Sequence, residues 1–279
     1  MTLRRALHLR LPLVFSSAAI LFAVAGCCSR PTSAWDQSTI APRDALPGVV
    51  VIFDRARRAA NCDGFVVASE AADGGFSAYV LTTRHCVADK DHSRAFGIAT
   101  PIGGSRAKLA PADVLDATLA FTSAGSDETF RNVPVSAKKS DGIEWIENDW
   151  AILRVTSPRA LPVLPVFAGD PTSAIAPGEP VTLASYHDAL YADDKGDRLW
   201  PHEHPFGWSG VPLAAAQLGH AGAPIVRNGE AVALYTGTVY GSYTCELISA
   251  QTRPTKLRLV SIADALAQAK EQGFTLTSK

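Results

Sequence analysis

A histidine and an aspartate in two separate segments have the surroundings expected of a proton-transfer pair. His85 follows directly after a predicted strand, and Asp149 opens the apolar segment at residues 150–153. A histidine of near-neutral pKa takes a proton from a hydroxyl group and returns it to a leaving amine. A buried aspartate fixes the tautomer of such an imidazole and stabilises its charged form. We therefore assign His85 as a candidate general base and Asp149 as the residue that orients it.

A third segment completes an ordered pattern. The sequence contains T-T-R-H-C at residues 82–86, N-D-W-A-I-L at residues 148–153 and G-H-A-G-A-P at residues 219–224. The chain resembles the chymotrypsin/trypsin clan of serine proteases in its compact bacterial form, which has T-A-A-H-C, D-x-A-L-L and G-D-S-G-G-P segments in this order. The order histidine, aspartate, serine separates this clan from subtilisins and α/β-hydrolases. The resemblance runs from about residue 49 to the terminal helix and implies peptide or protein ligands.

The resemblance places Ala221 where the clan has its nucleophilic serine. Alanine has no hydroxyl group, so no acyl-enzyme forms at this position. The backbone N–H groups of Gly219 and Ala221 are expected to form an oxyanion hole, because such a hole is built from main chain. Since His85 and Asp149 are both kept, the sequence predicts a peptide-binding cleft without a nucleophile, which is a catalytically inactive pseudoprotease.

Ser209 is an alternative nucleophile. Residues 207–212, G-W-S-G-V-P, fit the pattern G-x-S-G-x-P by letter. In the clan, however, the nucleophile's proline leads directly into a short hairpin, as it does after Pro224, whereas residues 213–218 resemble the strand that precedes the nucleophile. Three explanations stay open: Ala221 is natural, Ala221 is a change introduced into an active serine endopeptidase, or Ser209 is the nucleophile.

The resemblance also implies the lining of the primary substrate pocket. The residues concerned are Ala215, Ala216, Thr236 and Gly237, and none of them is charged. An uncharged lining favours small or apolar side chains over lysine or arginine in the bound peptide.

The N-terminus has the anatomy of a secretory signal. Three arginines precede residues 11–25, an uncharged apolar run too short to span a membrane comfortably. The run ends in V-A-G-C at residues 24–27, which resembles the lipobox of bacterial lipoproteins and implies cleavage before Cys27 and acylation of that residue. Two or more acyl chains make a stable anchor. We therefore expect an exported, lipid-anchored protein of the bacterial cell envelope, at the outer membrane if the cell is Gram-negative, because Cys28 is not the aspartate that often retains lipoproteins at the inner membrane.

Charge and histidine content exclude some partners. Removing residues 1–26, which hold three Arg and no acidic residue, changes the formal net charge from −1 to −4. Such a chain offers no basic surface for nucleic acid. His187 and the P-H-E-H-P segment at residues 201–205 are candidates for a zinc site, since alternate residues of an extended segment can converge on a metal. Surface loop histidines are more common, so the sequence predicts neither a metal nor a cofactor.

The cysteines are expected to form at least one disulfide, because export makes disulfides permissible. After Cys27 is acylated, Cys28, Cys62, Cys86 and Cys245 remain. Four thiols allow three pairings, and spacing alone does not choose among them. The family resemblance implies the pair Cys62–Cys86, which would hold the histidine loop. The usual family partner of Cys245 is absent, so this residue pairs with Cys28 or stays free.

The elements that must position these residues are mostly strands. Short β-rich runs bounded by Gly, Pro, Asn and Asp predict a sandwich or barrel. They lie at residues 49–53, 65–68, 78–83, 151–155, 181–185, 231–235 and 257–260. The resemblance implies an all-β fold of two six-stranded β-barrels with a C-terminal α-helix.

Local signals add a hairpin and the terminal helix. Asn228-Gly229 accepts the positive φ values of a type I′ turn. Residues 262–272 have apolar residues at helical spacing, with Ser261 and Asp264 approximating a capping box and Gly273 as the C′ residue. The predicted organisation is a signal peptide at residues 1–26, a lipidated cysteine and flexible tether at 27–47, a trypsin-like peptidase domain at 48–273 and a tail at 274–279.

Overall fold

The computed structural model describes residues 48–54, 59–87, 96–99, 107–108, 114–124, 135–140, 143–170, 180–188, 198–207, 221–245 and 248–275. The strands within these residues are β1 (Val49–Asp54), β2 (Ala59–Ala72), β3 (Gly75–Thr82), β4 (Phe96–Ala99), β5 (Ala107–Lys108), β6 (Val114–Thr122), β7 (Val135–Ser140), β8 (Ile143–Ile146), β9 (Ala151–Ser157), β10 (Pro180–Asp188), β11 (Arg198–Gly207), β12 (Pro224–Arg227), β13 (Glu230–Cys245) and β14 (Ile248–Ser261). The helices are α1 (Arg84–Val87) and α2 (Ile262–Glu271).

Six strands close into a barrel in the order β1-β2-β3-β9-β6-β4, with every neighbouring pair antiparallel. The sequence of β1 is a continuous apolar run, and both faces of this strand are buried. Val50 and Ile52 pack into one buried cluster of this barrel, while Val49 and Val51 pack into a second cluster on the other side. Successive side chains of a strand point to opposite faces, so a strand buried on both faces needs apolar residues at every position.

The second unit is an eight-stranded sheet in the order β5-β11-β10-β12-β13-β14-β8-β7. Within the described residues it is a sheet of eight strands where the resemblance implies a six-stranded barrel, because β5, β7 and β8, which precede β9 in the chain, lie at its two ends. Strand β8 is parallel to β14, and Arg258 donates from Nε to Glu144 Oε2 across this pair at 3.1 Å. The all-β, chymotrypsin-like fold class is confirmed. The second sheet includes three strands that precede the last barrel strand, β9, in the sequence.

The terminal helix and the Asn-Gly hairpin form where the sequence predicts them. Ser261 Oγ accepts a hydrogen bond from the Asp264 N–H at 3.2 Å, and Gly273 follows the helix end with φ +98°. These contacts satisfy backbone groups that a helix end leaves open. At the hairpin between β12 and β13, Asn228 has φ 50° and Gly229 has φ 83°, which fits the two positive φ values of a type I′ turn.

Helix α2 packs on a cluster that joins both units. Its buried residues Ile262, Ala265 and Ala269 lie in the same cluster as residues of β1, β2 and β13. Phe274, just beyond the helix, places its ring edge-on to Tyr79 of the barrel with the centroids 5.2 Å apart. The last helix of the chain is therefore held against the first barrel.

Several predictions about the chain ends lie outside the described residues. These are the signal peptide, the tether with Cys27 and Cys28, and the last part of the tail, residues 276–279. Within the described part of the chain, no helix is long and apolar enough to cross a membrane.

Candidate active site

His85 and Asp149 are in direct contact. His85 Nδ1 lies 2.8 Å from Asp149 Oδ2, and the backbone N–H of His85 donates to Asp149 Oδ1 at 3.0 Å. The side chain of Asp149 is 2% exposed and that of His85 is 29% exposed. A carboxylate that accepts at Nδ1 selects the tautomer with its proton on that nitrogen. The pair therefore has a buried orienting end, and Nε2 lies on the opposite edge of the imidazole ring.

The barrel brings these two residues together. Strands β3 and β9 are antiparallel neighbours, with Thr82 at the end of β3 paired to Ala151 at the start of β9. His85 lies three residues beyond Thr82 and Asp149 lies two residues before Ala151. Antiparallel pairing puts the end of one strand beside the start of the next, so the two side chains meet at one end of the barrel.

Ala221 lies in a turn that forms backbone hydrogen bonds with both the closed barrel and the second sheet. Its carbonyl oxygen accepts from the Asp63 N–H of β2 at 2.8 Å, and the Gly222 N–H donates to the Tyr235 carbonyl of β13 at 2.8 Å. The same carbonyl of Ala221 is 4.0 Å from Cys86 Sγ, next to His85 in α1. The half-buried Ala221 thus lies beside the helix that carries His85.

Gly222 is required by its surroundings. Its φ is +91°, and a Cβ atom built on it would overlap the carbonyl oxygen of Asp63 and lie 2.6 Å from Thr82 Oγ1. Thr82 Oγ1 itself donates to that carbonyl at 2.7 Å. The close approach of this turn to β2 and β3 depends on the absence of a side chain, which fixes the backbone that follows Ala221.

A disulfide joins Cys62 of β2 to Cys86 of α1, with their Cα atoms 6.2 Å apart, so the predicted pairing is confirmed. In the described part of the chain, these cysteines and His85 are the group of His, Cys, Asp or Glu side chains close enough together to hold a metal ion. Metal binding needs free thiolates. Because the two sulfurs are bonded to each other, this group is not a metal site in the oxidised protein.

Replacing Cys62 and Cys86 together with alanine should lower the free energy of unfolding by about 3 kcal/mol, since the disulfide closes a loop of 24 residues. Urea denaturation of the double variant and the parent measures the loss. With Cys28 and Cys245 also replaced by alanine in both proteins, a thiol reductant should bring the parent close to the variant and leave the variant unchanged. Equal stability of the two oxidised proteins would contradict the prediction.

The other predicted site residues are only partly described. Gly219, Ser209, Ala215 and Ala216 lie outside the described residues, so their roles stay predictions. Cys245 ends β13, and because Cys28 lies outside the described residues, the pairing of Cys245 stays a prediction.

Of the predicted pocket residues, Thr236 and Gly237 lie in β13, at a β-bulge opposite β14. Thr236 is buried, and its hydroxyl donates to the carbonyl of Arg258 at 3.1 Å. This hydroxyl is therefore engaged within the sheet, while the half-buried Gly237 follows it.

The histidine-rich segment is a strand and not the predicted loop. His202 and His204 lie in β11, which pairs with β10 along its length, and His187 lies in β10 opposite Trp200. The strand was not predicted from the sequence, because prolines at positions 201 and 205 flank His202 and His204, and proline is normally depleted from strands.

Two residues that contact the Asp149 segment were missed. Ser123 follows β6 and Gln268 lies in α2, and both hydrogen-bond the backbone or side chain of residues 147–150. One signal was available for Gln268, since a buried tryptophan such as Trp150 needs an acceptor for its indole N–H. The sequence did not say which residue supplies that acceptor.

A closed barrel and a second sheet, with a His–Asp pair at the barrel's end, define a chymotrypsin-like serine protease fold. A family model described as "Trypsin-like peptidase domain" matches residues 62–234, more than half of the chain. This chain belongs to that family. No curated protein matches its sequence.

A solved structure of a mutant of human heparin binding protein (CAP37) is similar to this chain, with a TM-score of 0.52 and 12% sequence identity. The similarity covers 84% of this chain and 95% of that one. At so low an identity, the match supports the fold and nothing finer.

Proposed function

We propose that this protein is a catalytically inactive peptidase-fold lipoprotein that binds peptide or protein segments at the bacterial cell envelope without cleaving them. One observation carries the proposal: Ala221, which the family resemblance assigns to the nucleophile position, lies beside the helix that carries His85 of an assembled His85–Asp149 pair. An acyl-enzyme needs an oxygen or sulfur nucleophile, and alanine supplies neither.

The turn that carries Ala221 keeps a defined backbone, which a binding cleft without a nucleophile requires. The hydrogen bonds of the turn to Asp63 and Tyr235 and the glycine at position 222 all serve to place a residue that has no reactive atom. Removing the serine from a triad lowers turnover by about a million-fold, while substrate binding and the oxyanion hole remain. The expected ligand is a peptide with small or apolar side chains, in keeping with the uncharged predicted pocket.

A fluorophosphonate probe applied to the unaltered protein tests the absence of a nucleophile. We expect no covalent labelling, and peptides selected from a displayed random library should be recovered from the protein uncut, as judged by mass spectrometry. Labelling at Ser209 would overturn the proposal in favour of an active serine endopeptidase. Peptide capture that His85→Ala leaves unchanged would favour a scaffold whose cleft is not used.

The envelope location is a second part of the proposal and depends on the lipobox at residues 24–27. Replacing Cys27 with alanine removes the thiol that carries the acyl chain and should abolish metabolic labelling with a radioactive fatty acid. Cys28→Ala is the matched control and should keep the label. Incorporation of the fatty acid into Cys27→Ala at the level of the parent would contradict lipid anchoring.

A further inference from the structure

We propose that Gln268 of α2 and Ser123 at the end of β6 are positioning residues that hold Asp149 against His85. The proposal goes beyond the proposed function, because it concerns the geometry of the pair and holds whether or not a nucleophile is present. It rests on a set of hydrogen bonds that surround the segment 147–150, which carries Asp149.

Gln268 forms hydrogen bonds with this segment on both sides of Asp149. Its Oε1 accepts from Trp150 Nε1 at 3.0 Å, and its Nε2 donates to the carbonyl of Glu147 at 3.4 Å. Trp150 is fully buried, so the indole N–H has lost water and depends on a protein acceptor. One amide side chain therefore fixes the residue after Asp149 and the residue two positions before it.

Ser123, which follows barrel strand β6, forms hydrogen bonds with the same segment and with Arg84, the neighbour of His85. Its Oγ donates to the Asn148 carbonyl at 2.7 Å, and its N–H donates to the Trp150 carbonyl at 3.0 Å. Its own carbonyl accepts from Arg84 Nη1 at 3.1 Å. Arg84 is the first residue of α1 and adjoins His85, so the buried Ser123 contacts the segments of both members of the pair.

These contacts matter because sheet pairing does not fix Asp149. The aspartate lies between β8 and β9, outside both strands. Its two carboxylate contacts with His85, at 2.8 and 3.0 Å, need the segment in one place. A catalytic group displaced by about 1 Å loses much of its effect, so the three carbonyl bonds and the indole bond set the alignment of the imidazole.

The proton on His85 Nδ1 reports this alignment directly. A proton held between an imidazole and a buried carboxylate gives a downfield NMR resonance and exchanges slowly with water. The full chain labelled with ¹⁵N-histidine supplies the signal, which is assigned by its absence in His85→Gln. In Gln268→Ala we expect this resonance to shift upfield and its exchange with water to quicken about tenfold, as the buried bonds to Trp150 and Glu147 are lost.

Gln272→Ala is the matched control. Gln272 has the same side chain and donates from Nε2 to the Thr122 carbonyl at 2.9 Å, so its loss removes no hydrogen bond of residues 147–150. Thr122 contacts that segment through its own hydroxyl, which donates to the Trp150 carbonyl at 3.4 Å and is kept in the variant. This variant should lower the melting temperature less than Gln268→Ala, because it leaves no buried N–H without an acceptor, and it should leave the His85 resonance unchanged. If both variants lower the melting temperature and neither changes the resonance, Gln268 only stabilises the fold and the proposal is wrong.

Two further variants keep the test decisive if Gln268→Ala does not fold. Gln268→Glu keeps an acceptor for Trp150 Nε1 but cannot donate to Glu147, and it should give an intermediate change in exchange. Ser123→Ala removes only the bond to Asn148 and should shift the resonance in the same direction. A resonance identical to the parent in both would overturn the proposal, while labelling of the parent by a fluorophosphonate would refute the inactive function and leave this result standing.

Discussion

Replacing Ala221 with serine should make the protein react covalently with a fluorophosphonate. The new hydroxyl would join a His85–Asp149 pair that is already in hydrogen-bond contact, in a turn already fixed by Asp63 and Gly222. Loss of the serine from a complete triad costs about a million-fold in turnover, so its return should raise the labelling rate by at least about a thousand-fold. Gel fluorescence and mass spectrometry of the labelled peptide measure the rate and place the label at residue 221.

The control for this gain is the double variant Ala221→Ser with His85→Ala. It keeps the new hydroxyl and removes the base, so the labelling rate should fall back to the background of the parent. If Ala221→Ser folds with the His85 resonance intact and still fails to react, the described pair is present but the remaining parts of the site, including the predicted oxyanion donor Gly219, are not assembled. That outcome would contradict the proposal that only the nucleophile is missing.

Replacing Gly222 with alanine should be among the most destabilising single changes in the described part of the chain. The added Cβ would meet the carbonyl oxygen of Asp63 and the hydroxyl of Thr82, which are bonded to each other, in a backbone conformation with φ +91°. The overlap is with backbone of the closed barrel and cannot be relieved by turning a side chain. We expect the free energy of unfolding to fall by more than about 3 kcal/mol, as measured by urea denaturation.

Gly229→Ala is the control that separates the cost of the steric overlap from the cost of placing a side chain at positive φ. Gly229 has a similar φ of +83°, but no atom lies within 4 Å of its Cβ position. Its cost should therefore be only the left-handed penalty of about 1 kcal/mol. Comparable losses in the two variants would mean that the turn after Ala221 is not pressed against β2.

Features set by neighbouring residues were predictable from the sequence. The hairpin at Asn228-Gly229 and the start of α2 at Ser261 depend on backbone angles and caps that a few adjacent residues decide. The pair formed by Cys62 and Cys86 and the place of Ala221 came from the family resemblance, since nothing local specifies them.

Features set by distant partners were not predictable in this way. Only residues 231–235 and 257–260 were recognised in strands that extend over Glu230–Cys245 and Ile248–Ser261, because the remaining parts carry polar residues without apolar alternation. The short strand β8 gained its place by parallel pairing with β14. The contacts of Ser123 and Gln268 with residues 147–150 likewise join segments far apart in the chain, and their side chains fit many surface positions equally well.

The parallel pairing of β8 with β14 bears on the order in which the chain can fold. Glu144 and Arg258, which form an ion pair across the two strands, are 114 positions apart in the sequence. The indole N–H of Trp150 donates to Gln268, which is 118 positions further along the chain. Contacts this distant in sequence slow folding, because a long loop must close before they form. The barrel strands, which all lie within residues 49–157, can pair early, whereas these two long-range contacts form only after nearly the whole chain has been synthesised.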